Sequence, residues 1–442
     1  MSLDLLAALV AAAKAAGADA ADAMFVERTA ISVQRRLGKT EQLEREESQE
    51  AGLRAFVGKR SAIVSTTRLD PAGFAALAER AVAMARVLPE DPFAVPPGAA
   101  GPGPDAAALD LADPYEPSAE ELVTRASMAE EAALAVAGVT NSEGAGAGFG
   151  RTHVALATSG GFTGSYVRTS HSISATALAG SGTGMERDYD YATSVHLADL
   201  DDAAAIGRRA GEQAVARLNP TRPRSAAMPV VFHPRVAGSF LGHLSSAING
   251  ASVARGTTFL RDRLGQRLFA AGITVHDDPT RKRGLRSRPF DGEGMTGTPR
   301  AIIEDGVLTT WLLDRRSAAQ LGLASTGHAG RSPGGQPSPS PTNLWLAPGR
   351  LTQTELMADI GEGMFVTEMI GTSINPVTGD YSRGAAGFMI RNGTLAEPVS
   401  GVTIAGNLIA MFANLTPAND LVFRRGTDSP TVRIEGATVA GA

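Results

Sequence analysis

Fifty glycines and 25 prolines are spread through 442 residues, and this density of chain-turning residues restricts the fold more than any other feature. Glycine gives up backbone entropy inside a helix, and proline lacks the amide hydrogen that the helical ladder needs. A long helical bundle is therefore not expected, and many turns joining strands are. The rest of the composition, 43% hydrophobic and 20% charged, is that of a globular chain and argues against overall disorder.

Charge and cysteine content remove further classes. The 41 Lys and Arg against 46 Asp and Glu leave a net charge of -5, with no broad basic field for phosphates, so nucleic acid is not an expected partner. The absence of cysteine rules out disulfides, thiolate metal sites, iron–sulfur clusters and a cysteine nucleophile. The apolar run Leu5 to Ala13 follows Asp4 and stops at Lys14 and Gly17. With no basic segment before it and too little length, neither a signal peptide nor a membrane span is expected, which leaves the cytoplasm as the expected compartment.

Along the chain, residues 2 to 17 predict an amphipathic helix capped by Ser2 and stopped by Gly17. Short alternating pieces follow at 23 to 28, 30 to 37, 52 to 57 and 61 to 67, as in an antiparallel meander, and Asp70-Pro71 opens a second helix. Residues 89 to 117 are rich in proline and predict a long loop or linker. Ser118 and Glu121 have capping-box spacing for a third helix. More strands and an Ala-rich helix bring an N-terminal α+β domain to residue 219. A second, β-rich domain is expected from 229 to 442, with hairpins at Asp305-Gly306 and Asn392-Gly393, dipeptides suited to type I′ turns. Helices segregated from antiparallel strands make the expected class α+β, not a doubly wound nucleotide-binding sheet.

The sequence has no phosphate-binding G-x-x-x-x-G-K-[ST] and no H-E-x-x-H. A metal site assembled from His243, His276 and Asp277 competes with structural histidines, and Asp188-Tyr189-Asp190-Tyr191 reads as a strand with one polar face. Two glycine-containing segments combine permissive backbone with polar side chains: Ser325 to Pro348, containing His328 and Trp345, and Gly379 to Phe388, containing Tyr381 and Arg383. Either is suited to approach a ligand, and either is equally readable as a packed turn.

Several motifs in order carry a family resemblance: Pro229-Val230-Val231-Phe232, Leu241-Gly242-His243-Leu244, Pro289 to Gly294, Asp305-Gly306 with Trp311-Leu312-Leu313, Ser325 to Gly330, and Thr378 to Gly384. With Arg187-Asp188-Tyr189 in the first half, they resemble the TldD/PmbA proteins, specifically the PmbA (TldE) branch. The resemblance implies a cytoplasmic protein linked to proteolysis of short or unfolded peptides, in a complex of TldD-type and TldE-type subunits. In the TldD type, the helix after the P-V-V strand carries HExxxH, with a cysteine further on, as a zinc site. At that offset this chain has Gly242, His243 and Ala247. The ligands that hold zinc and the carboxylate that takes a proton from its water are thus replaced.

The resemblance therefore leads to these expectations: no cofactor in this chain, zinc in a TldD-type partner, a heterodimer with that partner or otherwise a homodimer, and a vestigial motif on the helix. His328, Trp345, Tyr381 and Arg383 are the expected peptide-binding residues, since prolines stiffen the loop, tryptophan offers an aromatic contact and arginine binds carboxylates or carbonyls. The competing expectations are a stand-alone peptide-binding adaptor and a hydrolase with another site, such as His328 with Asp380.

Overall fold

A computed structural model describes residues 3–98 and 105–441. The first helix, α1 (Leu3–Ala15), buries Leu6, Leu9, Val10 and Ala13. Gly17 ends it at φ +98°, where a side chain would be strained, and the predicted cap Ser2 lies outside the described residues. Six strands then form one antiparallel sheet: β1 (Ala20–Arg36), β2 (Lys39–Val57), β3 (Arg60–Thr66), β4 (Val139–Thr158), β5 (Thr163–Ala179) and β6 (Glu186–Ser194), ordered β3-β2-β1-β4-β5-β6. The pieces expected at 23 to 28 and 30 to 37 merge into β1, of 17 residues, the piece at 52 to 57 is the end of β2, of 19, and the piece at 61 to 67 is β3. Residues Lys39 to Gln49 are exposed on both faces. They show no hydrophobic alternation, and their strand exists because β1 pairs with them along its length.

The two faces of this sheet differ. One carries Phe25, Leu53, Val33 and Ile173 and is covered by α1, α2 (Phe74–Val87), α3 (Ala119–Leu134) and α4 (Ala203–Ala216). The predicted capping box of Ser118 and Glu121 opens α3. A Cβ on Gly207 of α4 would lie 1.8 Å from the Ala129 carbonyl of α3, so only glycine permits that helix approach. The residues in between, Met24, Val26, Val154 and Leu156, point the other way and pack on Phe290 of the second half. Within the predicted loop after α2, Leu109, Leu111 and Asp113 are buried, and the Leu111 carbonyl accepts from Thr169 N–H at 2.9 Å. That part of the loop is docked on the body.

The second half starts with β7 (Ala226–Phe232) and α5 (Pro234–Ala247). The short strands β8 (Val275–Asp278), β9 (Arg300–Glu304), β10 (Val307–Leu308), β11 (Ala329–Gly330), β12 (Ser338–Pro339) and β13 (Asn343–Leu346) come next. Longer ones follow, β14 (Glu362–Ile374), β15 (Asp380–Arg391) and β16 (Thr394–Asn407), then β17 (Leu415–Pro417), β18 (Thr427–Asp428) and β19 (Val432–Ala440). One sheet is ordered β16-β15-β14-β7-β19-β17, and a further β16–β19 pairing closes five of its strands into a ring without free edges. A smaller sheet runs β10-β9-β8-β13-β18. Asp305-Gly306 and Asn392-Gly393 turn their hairpins with positive φ at both residues of each pair. The class is α+β.

Candidate functional site

The proline at the start of α5 suits a first turn, and His233 caps the helix by accepting from the Arg235 N–H at 3.1 Å. Burial, reinforced by Arg235 and Arg425, pulls the His233 imidazole down to about 4, which keeps it the neutral acceptor that the cap needs. The apolar face of α5, with Val236, Phe240, Leu244 and Ala247, is buried in the main core of the second half. That seating turns His243 toward β15, where its ring lies 5.9 Å from Tyr381 and 6.4 Å from Phe240.

This corner is aromatic and cationic. Tyr381 is 2% exposed, and burial pushes its phenol far above the usual range. Burial first and Arg383 second hold His243 near 4, so the ring is neutral at physiological pH. Both His243 Nε2 and the Tyr381 hydroxyl are buried without a hydrogen-bond partner among the described residues. Arg383 donates from Nε to the Gly371 carbonyl at 2.7 Å, while Asp380 binds Thr378 and Asn407 instead of pairing with it. A zinc ion of the peptidase kind needs about three protein ligands and a water. One imidazole among aromatic rings beside a guanidinium does not meet that need, and no group of three His, Asp or Glu among the described residues is placed to hold a metal. The residues at this position do not fit zinc.

The other predicted peptide contacts lie elsewhere. Trp345 on β13 stacks on His276 of β8 at 5.1 Å and meets Phe423 edge-on. His328 is 2% exposed, its Nε2 3.0 Å from Asp277 and its Nδ1 2.8 Å from Thr326. Asp277 also accepts from the Thr342 N–H at 2.7 Å. His328 is thus locked into a buried polar network, because an unpaired imidazole and carboxylate could not be sealed there without each other; it does not line an open groove, and its carboxylate is Asp277, not Asp380. Nor do His243, His276 and Asp277 converge, since His276 is stacked on Trp345. No hydrogen bond, ion pair or ring contact among the described residues joins Tyr381 or Arg383 to His328 or Trp345.

Of the segment Ser325 to Pro348, expected to face a peptide, the part from 331 to 341 is latched onto the first sheet. The Arg331 side chain is fully buried and donates to Asp22 of β1. The Pro333 carbonyl sits so close to β2 that a Cβ on Gly52 would come within 1.7 Å. Asp22 also accepts two bonds from Arg54, at 2.8 and 2.6 Å, and Arg54 reaches Glu293 at 3.4 Å. Burial alone would raise the Asp22 carboxyl, but Arg331 and Arg54 hold it below its usual range. Glu293 is pushed up to about 7 by burial, against the pull of Arg54 and of the Arg315 N–H. A second ionic cluster, Asp188 with Arg235 at 2.6 Å and Arg217 at 3.3 Å, ties β6 and the end of α4 to the start of α5. The first cluster spans 309 residues and the second 47, and neither has a local spacing by which a sequence would reveal it.

Comparison with known proteins meets this geometry along the whole chain. Three family models match: PmbA/TldA metallopeptidase domain 1 at residues 21–85, the central domain at 112–218 and the C-terminal domain at 225–441. The chain is 36% identical to metalloprotease PmbA of Escherichia coli O157:H7 over 429 residues, covering 96% of this chain and 92% of that protein. It is 32% identical to a metalloprotease PmbA homolog of Haemophilus influenzae, covering 93% and 90%. The crystal structure of TldE from Thermococcus kodakarensis superposes with a TM-score of 0.89 over 99% of this chain and all of that one, at 19% identity, a likeness of fold. Motifs, fold and relatives agree from the first strand to the last, and the chain belongs to the PmbA/TldD metallopeptidase family.

Proposed function

We propose that this chain is the non-catalytic, TldE-type subunit of a two-subunit metallopeptidase that processes short or unfolded peptides. The zinc and its catalytic carboxylate come from a TldD-type partner. The observation that carries this reading is α5: where the family's zinc motif is expected, the helix offers Gly242, His243 and Ala247, and the one imidazole is neutral, walled by Phe240 and Tyr381 and faced by Arg383. A hydrolytic zinc site cannot be assembled from that set. The relatives' names support the tie to proteolysis.

The test is to purify the chain with and without a TldD-type partner and to measure oligomeric state, zinc and peptide cleavage. The chain alone is expected to hold no stoichiometric zinc and to cut no peptide, and the pair is expected to do both. About one tightly held zinc per chain in the lone protein, removable only with loss of a peptidase activity, overturns the reading.

A further inference from the structure

Where the second half faces the outer end of the first sheet, a cleft of about 710 Å³ opens between them. Its walls carry Arg168 of β5, Arg286 and Arg288 of the loop before β9, and Arg424 and Arg425 of the segment before β18, and no aspartate or glutamate. Only Arg424 reaches a carboxylate among the described residues, Asp201 at 3.0 Å. Arg168, Arg288 and Arg425 are held by neutral groups. Arg168 donates to the Leu285 carbonyl, Arg288 to the Ala329 carbonyl at 3.1 Å, and Arg425 to the Tyr191 hydroxyl while lying 4.8 Å from that ring's centre.

This arrangement is electrostatically unfinished. Guanidinium groups brought together and partly removed from water repel one another unless an anion lies among them. The Arg168 guanidinium shows the strain, held below its usual range by burial and then by Arg28, Arg286 and Arg288, with only Tyr166 opposing. Hydrogen bonds to carbonyls and a hydroxyl leave each charge uncancelled while fixing several side chains, so little rotamer freedom remains to be lost on binding. Fixed guanidinium forks match carboxylates with two parallel bonds.

We propose that this cleft binds the carboxylates of an acidic, extended peptide. The proposal rests on the reading that the chain handles peptides, and it names the class of peptide. A volume of this size suits a short segment of chain. A protein of net charge -5 offers no wider basic field of the kind that holds a nucleic acid backbone.

The experiment measures fluorescence anisotropy of a labelled Gly-Glu repeat peptide and of its Gly-Gln counterpart with the full chain alone. The acidic peptide should bind at least about tenfold more tightly, the equivalent of one charged hydrogen bond, and should weaken with added salt. Arg286→Glu, at an exposed position, should weaken it by at least about tenfold, while Arg350→Glu, the same charge change at an exposed residue outside the cleft, should not. Thermal denaturation of both variants shows that each is folded. Equal binding of the two peptides, undiminished binding by Arg286→Glu, or tighter binding of a labelled oligothymidylate than of the acidic peptide overturns the proposal. Because no partner is present, these outcomes are separate from zinc and cleavage by the pair, which judge the subunit reading.

Discussion

Asp22 accepts from two guanidinium groups in a place that water does not reach, its side chain 1% exposed. Such a group is stabilising only while its partners remain, since the cost of desolvating the charge has already been incurred. Arg331→Ala removes one partner and leaves Asp22 with Arg54 alone. It should lower stability by about 3 kcal/mol, measured by urea denaturation; a change within about 0.5 kcal/mol, as for an ordinary surface residue, would show that the pair contributes nothing. The predicted site residues are instructive at this scale. Tyr381, His243 and Arg383 do come together, because alternate residues of one strand share a face and α5 lies over it. The carboxylate partner of His328, Asp277, lies 51 residues away and was invisible because a histidine between glycines has the same local pattern whether it faces solvent or a buried carboxylate.

Elements whose signals are local were legible in the sequence. The capping box at Ser118, the helical turn that Asp70-Pro71 opens ahead of α2, and the two positive-φ hairpins each depend on neighbouring residues. Long strands were not legible: Lys39 to Gln49 carries charge on both faces, so nothing in its own pattern separates it from a loop. The arginine cleft draws on five separate stretches of chain, although the run Arg281-Lys282-Arg283 followed by Arg286 and Arg288 was a usable hint of a concentrated positive charge. The latch of the 331 to 341 loop depends on one missing side chain. Gly52→Ala would force its Cβ against the Pro333 carbonyl, and either β2 or the loop must shift. A loss of about 1–3 kcal/mol is expected, with faster proteolytic cleavage between residues 331 and 341. Wild-type proteolysis and stability would show that the loop can yield at no cost.

Across the whole molecule, the ionisable groups around the seam between the halves set opposing pH trends. Glu293, raised from 4.5 to about 7, binds more protons folded than unfolded, so its contribution is intact below 4.5 and is lost as pH rises through 7. His233 and His243, lowered from 6.5 to about 4, contribute stability that is present above 6.5 and is lost as pH falls through 4. Glu293→Gln removes the first trend only. Relative to the variant, the wild type should lose roughly 3 kcal/mol between about pH 4 and pH 8, and the variant's own stability should climb steadily between pH 4 and 6.5. A flat difference between the two proteins in urea titrations would remove Glu293 from this role. The same seam bears on the birth of the protein. Asp22 and Arg331 are 309 residues apart, which at ribosomal speeds of about 5–20 residues per second means a wait of roughly 15 to 60 s. The first sheet is complete once Ser194 is made, and until Phe290 and then Arg331 follow, Met24, Val26 and Leu156 lack their cover and Asp22 has only Arg54 of its two guanidinium partners, a sticky face on a nascent chain that must be shielded until its other half emerges.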